Sequence, residues 1–186
     1  MSVDARFSTL LFAALLPSAP VVCAAEYLDI DAAQKAVFPE ADAFREILLP
    51  LTPAEQAAVL ERAGPQPAHG RWRVFRAERG GALLGHLFID EVIGRQSLIT
   101  YALGIEPQGG VRDLEIMAYR ESHGGEIRNA AWRAQFQGRR ELDQLRFRTD
   151  IKNISGATLS SEHVTQGVRW LLALWQVALR PRPATG

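Results

Sequence analysis

The chain has 186 residues, an ordinary apolar content and equal numbers of acidic and basic side chains, 21 of each. This length fits one domain with a real hydrophobic core. The balanced charge excludes the polycationic signature of nucleic-acid binding, so we predict no nucleic-acid partner.

The N-terminal segment, residues 1–24, is predicted to be a secretory signal peptide. Residues 7–22 are largely apolar and lead into the small residues of "VVCAAEY", which suit cleavage after Ala24 or Ala25. The segment is short for a transmembrane helix and contains prolines that would break one. We therefore expect export to the periplasm or another extracytoplasmic compartment.

Cys23 is the only cysteine of the chain, and cleavage would remove it together with the signal peptide. The mature protein would then have no thiol, disulfide or cysteine-based metal site. Lipidation of Cys23 is the alternative. It is the less favoured one, because Val22 stands where a lipobox usually has a small residue.

The next segment, residues 25–70, is predicted to be helical. The stretch "DIDAAQKAVF" begins with the capping residue Asp29 and predicts a short helix that Pro39 stops. The stretch "LTPAEQAAVLERAG" predicts a second helix, and "PQPAH" after it predicts a linker. The signals of the second helix are Thr52 as N-cap, Pro53 at the first position, Glu55 in a capping box and Gly64 as the stop.

Residues 71–180 are predicted to form the main domain, which begins with strands. "RWRVFRAE" and "ALLGHLFIDEVI" flank Gly80–Gly81, which predicts a hairpin. "QSLITYALGIE" and "VRDLEIMAY" flank "PQGG", which predicts a second hairpin. In the last of these strands apolar and polar residues alternate, with Leu114, Ile116 and Ala118 on one side, so we expect a sheet with one covered face.

The end of the domain returns to helical spacing. In "IRNAAWRAQFQG" the residues Ile127, Ala131 and Ala134 fall on one helical face. Strands between flanking helices predict a single α+β domain, an antiparallel sheet with helices packed on it, and residues 181–186 form a tail. The last helix is predicted to bury Val164, Val168, Leu171, Leu172, Trp175 and Leu179.

The common catalytic and metal-binding patterns are missing from the sequence. The histidines His69, His86, His123 and His163 lack the spacing of a metal site. There is no nucleophile elbow, no dinucleotide fingerprint and no P-loop lysine. We therefore predict neither a metal ligand set nor a catalytic residue.

The stretch "KNISGATLSSEHVTQGVRWLLAL", residues 152–174, places small and hydroxylated residues directly before the last helix. A helix N-terminus carries unpaired N–H groups and partial positive charge, which suits a phosphate. Gly156 would let the backbone approach a ligand, Ala157 would keep the turn uncrowded, and Ser155, Thr158, Ser160 and Ser161 would supply hydroxyls. A plain N-cap at Thr158 is the alternative interpretation.

The motif "SGATLSS", residues 155–161, resembles the flavinylation motif of the FMN-binding domain family. That family includes the extracytoplasmic G subunit of the Rnf electron-transport complex and the C subunit of the sodium-translocating NADH:quinone oxidoreductase. The segment "YRESHGGEIRNAAWRAQFQGR" resembles the family's upstream Glu-Thr-Pro-Gly segment, with Glu121, Gly124, Trp132 and Phe136 as the matching residues. The sequence departs from the family at Lys152, where Asp is common, and at Ser122–His123 in place of Thr-Pro.

The resemblance implies that a separate flavin transferase joins the FMN phosphate to Thr158 as a phosphoester. It further implies contacts to FMN from Glu121, Gly124, Trp132 and the rest of the motif, including Leu159. The implied function is electron transfer with a membrane redox partner, by a carrier more than by a stand-alone enzyme. Two alternatives stay open: an accessory module of a redox complex that binds FMN non-covalently or binds no flavin, and a small flavin reductase acting on a soluble substrate.

Overall fold

The computed structural model describes residues 25–66, 72–121 and 123–180. The predicted signal peptide with Cys23, most of the predicted linker with His69, Ser122 of the upstream segment and the tail at 181–186 lie outside the described residues.

The strands of the described residues form one antiparallel six-stranded sheet in the order β1-β6-β5-β4-β3-β2. Each neighbouring pair of strands from β2 to β6 is consecutive in sequence. Short connections join β3 to β6, whereas residues 48–72, which include a helix, connect β2 to β3. The strands are β1 Ala25–Glu26, β2 Ala43–Ile47, β3 Arg73–Arg79, β4 Ala82–Ile93, β5 Leu98–Ile105 and β6 Val111–Tyr119.

Both predicted hairpins are confirmed. Gly80 and Gly81 have φ of +56° and +81°, which is the backbone that a two-residue hairpin turn needs and glycine adopts without strain. In the second hairpin, Glu106 N donates to the carbonyl oxygen of Gly110 at 2.8 Å. Local turn chemistry therefore determines these strand pairings.

In the described part of the chain, four α-helices accompany the sheet: α1 Ile30–Val37, α2 Pro53–Ala63, α3 Ala130–Arg133 and α4 Thr158–Ala178. The predicted caps of the first two are confirmed. The carboxylate of Asp29 accepts from Ala32 N, and Thr52 and Glu55 form the complete capping box. The predicted α+β architecture with a C-terminal helix is thus the observed one.

The segment predicted as helical, residues 25–70, also supplies two strands. β1 pairs with the end of β6, and β2 pairs with β3, so these short strands form the two edges of the sheet. The prediction missed them because neither has a long alternating pattern. The strand β2 is held in the sheet by its pairing with β3, which involves all five of its residues.

The expectation of one covered face is wrong, because helices cover both faces of the sheet. Val74 and Phe88 belong to a core with α2 and α4, while the adjacent Phe75 and Leu87 belong to a second core with α1. Met117 lies in this second core and is 4% exposed. No pattern in the sequence indicates that a helix as short as α1 covers this side.

Glycines on the sheet make room for α1. A Cβ atom at Gly85 would lie 2.8 Å from the ring of Phe38, and one at Gly104 would lie 3.2 Å from it. Real Cβ atoms rarely approach that closely, so both strands need glycine, which has no side chain, where Phe38 packs. The guanidinium of Arg112 lies 4.8 Å from the same ring and also donates to the carbonyl oxygen of Val37.

The single helix expected over residues 127–138 is broken into short turns. The observed pieces are 3₁₀ turns at Gly125–Arg128 and Ala134–Phe136 on either side of α3. Asn129 interrupts the helix, since its side chain accepts from Ala131 N and caps a new start. The buried residues are Ile127, Trp132 and Phe136, whereas Ala131 and Ala134 are exposed, so the predicted face is corrected.

The long helix α4 is buried more completely than its predicted stripe requires. Five of the six predicted residues are buried, Leu179 is partly buried, and Trp170 and Leu174 are buried in addition. Gly167 lets the hydroxyl of Tyr101 reach the helix, where a Cβ would clash with it. No helix of the described residues has the length and apolarity to cross a membrane.

His86 links β4 to α4 inside the core. The indole Nε1 of Trp175 donates to His86 Nδ1 at 3.2 Å, and His86 is 5% exposed. Burial, with a smaller effect of the charge on Arg76, lowers the pKa of His86 to about 4. The ring is therefore neutral in the folded protein at neutral pH.

We expect His86 to make the fold acid-sensitive. Between pH 6.5 and about 4 the unfolded chain binds a proton at this ring that the folded protein does not, so the free energy of unfolding falls as the pH falls. Between pH 7 and pH 5 the wild type should lose about 2 kcal/mol more than His86→Gln, which keeps an acceptor for Trp175. Urea unfolding at the two pH values measures this, and equal losses in both proteins would contradict it.

Candidate functional site

A cavity of about 460 Å³ lies between the β4–β5 turn, the segment after β6 and the first turn of α4. Its size is within the range of small-molecule sites, which is roughly 300–1,000 Å³. Of the predicted site residues, Glu121, Gly156, Ala157, Thr158, Leu159 and Ser160 line it, and Arg95, Gln96 and His123 complete the lining.

Helix α4 begins at Thr158 without any side-chain cap. Ala157 occupies the N-cap position, and the first helical hydrogen bond runs from Ser161 N to the carbonyl oxygen of Ala157 at 2.9 Å. The N–H groups of Thr158, Leu159 and Ser160 precede that bond and have no partner within the helix. The plain N-cap interpretation of Thr158 is therefore wrong, and the three residues with these N–H groups line the cavity.

The turn before α4 depends on two of its small residues for different reasons. Gly156 has φ of +83°, and a Cβ there would meet nothing within 4 Å, so it serves the backbone conformation and not close packing. Ala157 is 4% exposed and lies against Gly124, where a Cβ would come within 2.6 Å of the Ala157 methyl group. Gly124, itself at φ +90°, thus packs against the motif and lies outside the cavity lining.

The hydroxyl of Thr158 is oriented by Asn153, a residue that no sequence motif pointed to. Asn153 Nδ2 donates to Thr158 Oγ1 at 3.1 Å, and Asn153 Oδ1 accepts from Ser161 Oγ at 3.0 Å. Since Thr158 Oγ1 accepts in this bond, its own proton remains available for transfer. The contact spans five residues, too local for a strand pattern and too irregular for a helical one.

Asn153→Ala should slow any covalent modification of Thr158. The variant loses the hydrogen bond that fixes Oγ1, which is worth about 1 kcal/mol, so we expect a roughly fivefold slower reaction. Time-resolved intact-mass analysis with a fixed amount of modifying enzyme measures the rate. Asn153→Asp, which keeps the contact to Ser161, is the comparison for folding, and an unchanged rate in Asn153→Ala would exclude the orienting role.

The other hydroxyls of the motif differ in where they lie. Ser160 Oγ is 3.2 Å from the hydroxyl of Tyr119, which donates to the carbonyl oxygen of His123 at 2.5 Å. Burial raises the pKa of Tyr119, so this hydroxyl stays protonated and continues to donate. Ser161 is fully buried, with its Oγ bonded to the carbonyl oxygen of Ala157, and Ser155 lies outside the cavity lining.

Glu121 lines the cavity and also fixes the β4–β5 turn through hydrogen bonds to its backbone. Its Oε1 accepts from Gln96 N at 2.7 Å and from Ser97 N at 2.8 Å. A Cβ at Gly94 would lie 2.7 Å from the same oxygen. The turn is more than twenty residues from Glu121 and carries no recognisable motif, which is why the sequence did not predict Arg95 and Gln96 as site residues.

Trp132 does not line the cavity but fixes the segment that leads into the motif. Its Nε1 donates to the carbonyl oxygen of Lys152 at 2.8 Å, and Lys152 N donates to Gln135 Oε1 at 2.8 Å. The ring of Trp132 also meets that of Phe136 edge-on, with centroids 5.1 Å apart. The Lys152 side chain is exposed, so the backbone of this residue, and not its charge, is held.

These features together fit a phosphate-bearing cofactor. The wall has N–H groups at a helix start, an oriented hydroxyl and an arginine, all of which bind or react with phosphate. Among the described residues there is no group of three or more His, Cys, Asp or Glu that could hold a metal ion.

Residues 94–173 match the family of FMN-binding domains. The match covers 80 of the 186 residues. The matched range contains every residue that lines the cavity, from Arg95 to Ser160. The predicted resemblance is therefore confirmed, and the cavity lies wholly within the matched range.

The fold has a counterpart among solved structures. A crystal structure of Shewanella oneidensis NqrC is similar with a TM-score of 0.51 and 16% sequence identity, covering 77% of this chain and 84% of that one. At this identity the likeness establishes the fold. No curated protein sequence matches the chain.

Proposed function

We propose that this protein is an exported electron-transfer flavoprotein that carries FMN as a phosphoester on Thr158. The observation that carries the proposal is the position of Thr158, which lines the cavity at the uncapped start of α4 and lies within the FMN-binding match. An uncapped helix start beside a hydroxyl supplies N–H donors that would stabilise the negative charge of a phosphate diester.

The residues of the turn have separate tasks in this proposal. The N–H groups of Thr158, Leu159 and Ser160 stabilise the phosphate charge, and Asn153 orients the hydroxyl. Attachment forms the bond from Thr158 Oγ1 to phosphorus and releases the hydroxyl proton, while a flavin dinucleotide used by the transferase loses its nucleotide half as the leaving group. Bound FMN supplies the electron-carrying chemistry.

Export and partners complete the proposal. The apolar segment at residues 1–24 supports secretion, and a covalent bond prevents loss of the flavin outside the cytoplasm. The fold likeness to NqrC supports a membrane redox protein as electron donor or acceptor. We infer that a separate flavin transferase carries out the attachment, as the resemblance of the motif at residues 155–161 to the FMN-binding domain family implies.

Intact-mass analysis tests this function. The full chain produced in a secreting host with an active flavin transferase should gain the mass of FMN less one water. An unmodified mass, with the transferase shown to modify another substrate, would contradict the covalent attachment. Electron exchange with a membrane fraction then distinguishes a carrier from a reductase, which would instead turn over a soluble substrate.

A further inference from the structure

We propose that Arg95 binds the phosphate of FMN and that Glu121 positions it there through the β4–β5 turn. This inference rests on the proposed flavin site but not on its covalent bond. It assigns two residues of the cavity wall that lie far from the flavinylation motif in sequence.

Arg95 faces the cavity from the turn between β4 and β5. In the described part of the chain it forms no hydrogen bond or ion pair, whereas Arg73, Arg112 and Arg133 each pair with a carboxylate. An arginine without a protein anion in the wall of an anion-binding cavity is available to the ligand. Its planar guanidinium can hold two phosphate oxygens at once.

The position of Arg95 is fixed by Glu121. The carboxylate accepts the N–H groups of Gln96 and Ser97, the two residues that follow Arg95. Within the turn Gly94 N donates to the carbonyl oxygen of Ser97 at 2.8 Å. Gly94 has no side chain, which leaves room for the carboxylate of Glu121 to pack against it. Because Glu121 Oε1 is already used twice by the turn, this oxygen acts on the ligand through Arg95.

The other end of β4 provides a matched control. Arg79 is also an exposed arginine at the end of a hairpin, and it stands a strand of twelve residues away from the site, hence roughly 35–40 Å. Arg79→Gln removes the same charge as Arg95→Gln without approaching the cavity. Both residues are exposed, so neither variant should affect folding.

The test compares FMN with riboflavin, which lacks the phosphate. The full chain produced without a transferase is titrated with each flavin, and flavin fluorescence reports binding. The wild type should prefer FMN. Arg95→Gln should weaken FMN binding about fivefold and leave riboflavin binding unchanged, with a smaller effect at high salt. Arg79→Gln should match the wild type.

The Glu121 variants test its positioning role. Glu121→Gln keeps an acceptor for both N–H groups and should retain the FMN preference, while Glu121→Ala should reduce it about as much as Arg95→Gln does. The double variant with Arg95→Gln and Glu121→Ala should then bind FMN no more weakly than either single variant, since both residues act through one contact. Additive losses would overturn the role of Glu121.

Two results would overturn the role of Arg95. One is a wild type that binds FMN no more tightly than riboflavin, and the other is an Arg95→Gln variant with the wild-type preference or with equal losses for both flavins. A wild type that prefers FMN but gains no covalent adduct from an active transferase would contradict the proposed phosphoester and leave this inference intact.

Discussion

Thr158→Ala should abolish covalent FMN attachment completely, while Thr158→Ser retains it. Alanine removes the only side-chain oxygen at this position that can bond to phosphorus, whereas serine keeps it and changes only the orientation that the threonine methyl group imposes. Intact-mass analysis after expression with the transferase should give unmodified protein for Thr158→Ala and the FMN-bearing mass for the wild type and Thr158→Ser.

Ser160→Ala and Ser155→Ala separate this site from the other hydroxyls of the motif. Ser160 is 3% exposed and Ser155 lies outside the cavity lining, so both variants should still acquire FMN. A flavin adduct on Thr158→Ala, mapped by peptide mass analysis to another residue, would show that the anchor had been assigned wrongly.

Gly124→Ala should destabilise the protein by about 3 kcal/mol and reduce the yield of flavinylated protein. Alanine would be strained by the left-handed backbone at φ +90°. Its methyl group would also lie 2.6 Å from both the Ala157 methyl group and the Tyr119 hydroxyl. Relief requires the turn before Thr158 to move, which disturbs the first turn of α4. Urea unfolding and intact-mass analysis measure the two effects.

The neighbouring Gly125 is the control for this substitution. A Cβ at Gly125 meets nothing within 4 Å, so Gly125→Ala should change the free energy of unfolding by less than about 0.5 kcal/mol. Equal stability of Gly124→Ala and Gly125→Ala would mean that Gly124 is not packed against Ala157.

The parts of the fold that the sequence predicted are those determined by local chemistry. The capping box at Thr52 and the glycine pair at Gly80 need only their neighbours in the chain, so pattern and structure agree. The helix expected over 127–138 failed because Asn129 starts a new cap, which a periodicity argument ignores. The second core under α1 depends on Gly85 and Gly104, whose purpose becomes visible only when Phe38 is packed against them.

The same difference between local and long-range interactions applies to the residues of the candidate site. Thr158 and its turn could be predicted because the motif is contiguous and precedes a helix. Arg95 and Gln96 could not, since Glu121 brings them to the cavity across more than twenty residues by backbone hydrogen bonds that leave no pattern in the sequence. Trp132, which was predicted as a flavin contact, lies outside the cavity lining and donates its indole N–H to the carbonyl oxygen of Lys152.

Because α4 is buried, the distance between a flavin anchored at its first residue and a redox partner should vary little. Its first residue carries the proposed anchor, and the helix is packed between α2 and the sheet along most of its 21 residues. Moving the anchor would therefore require opening the main core, which costs a large part of the total stability, in contrast to a cofactor mounted on a free loop. The flavin phosphate would thus keep a nearly constant separation from any docked redox centre, and changes in transfer rate would report movement of the partner or of the ring itself.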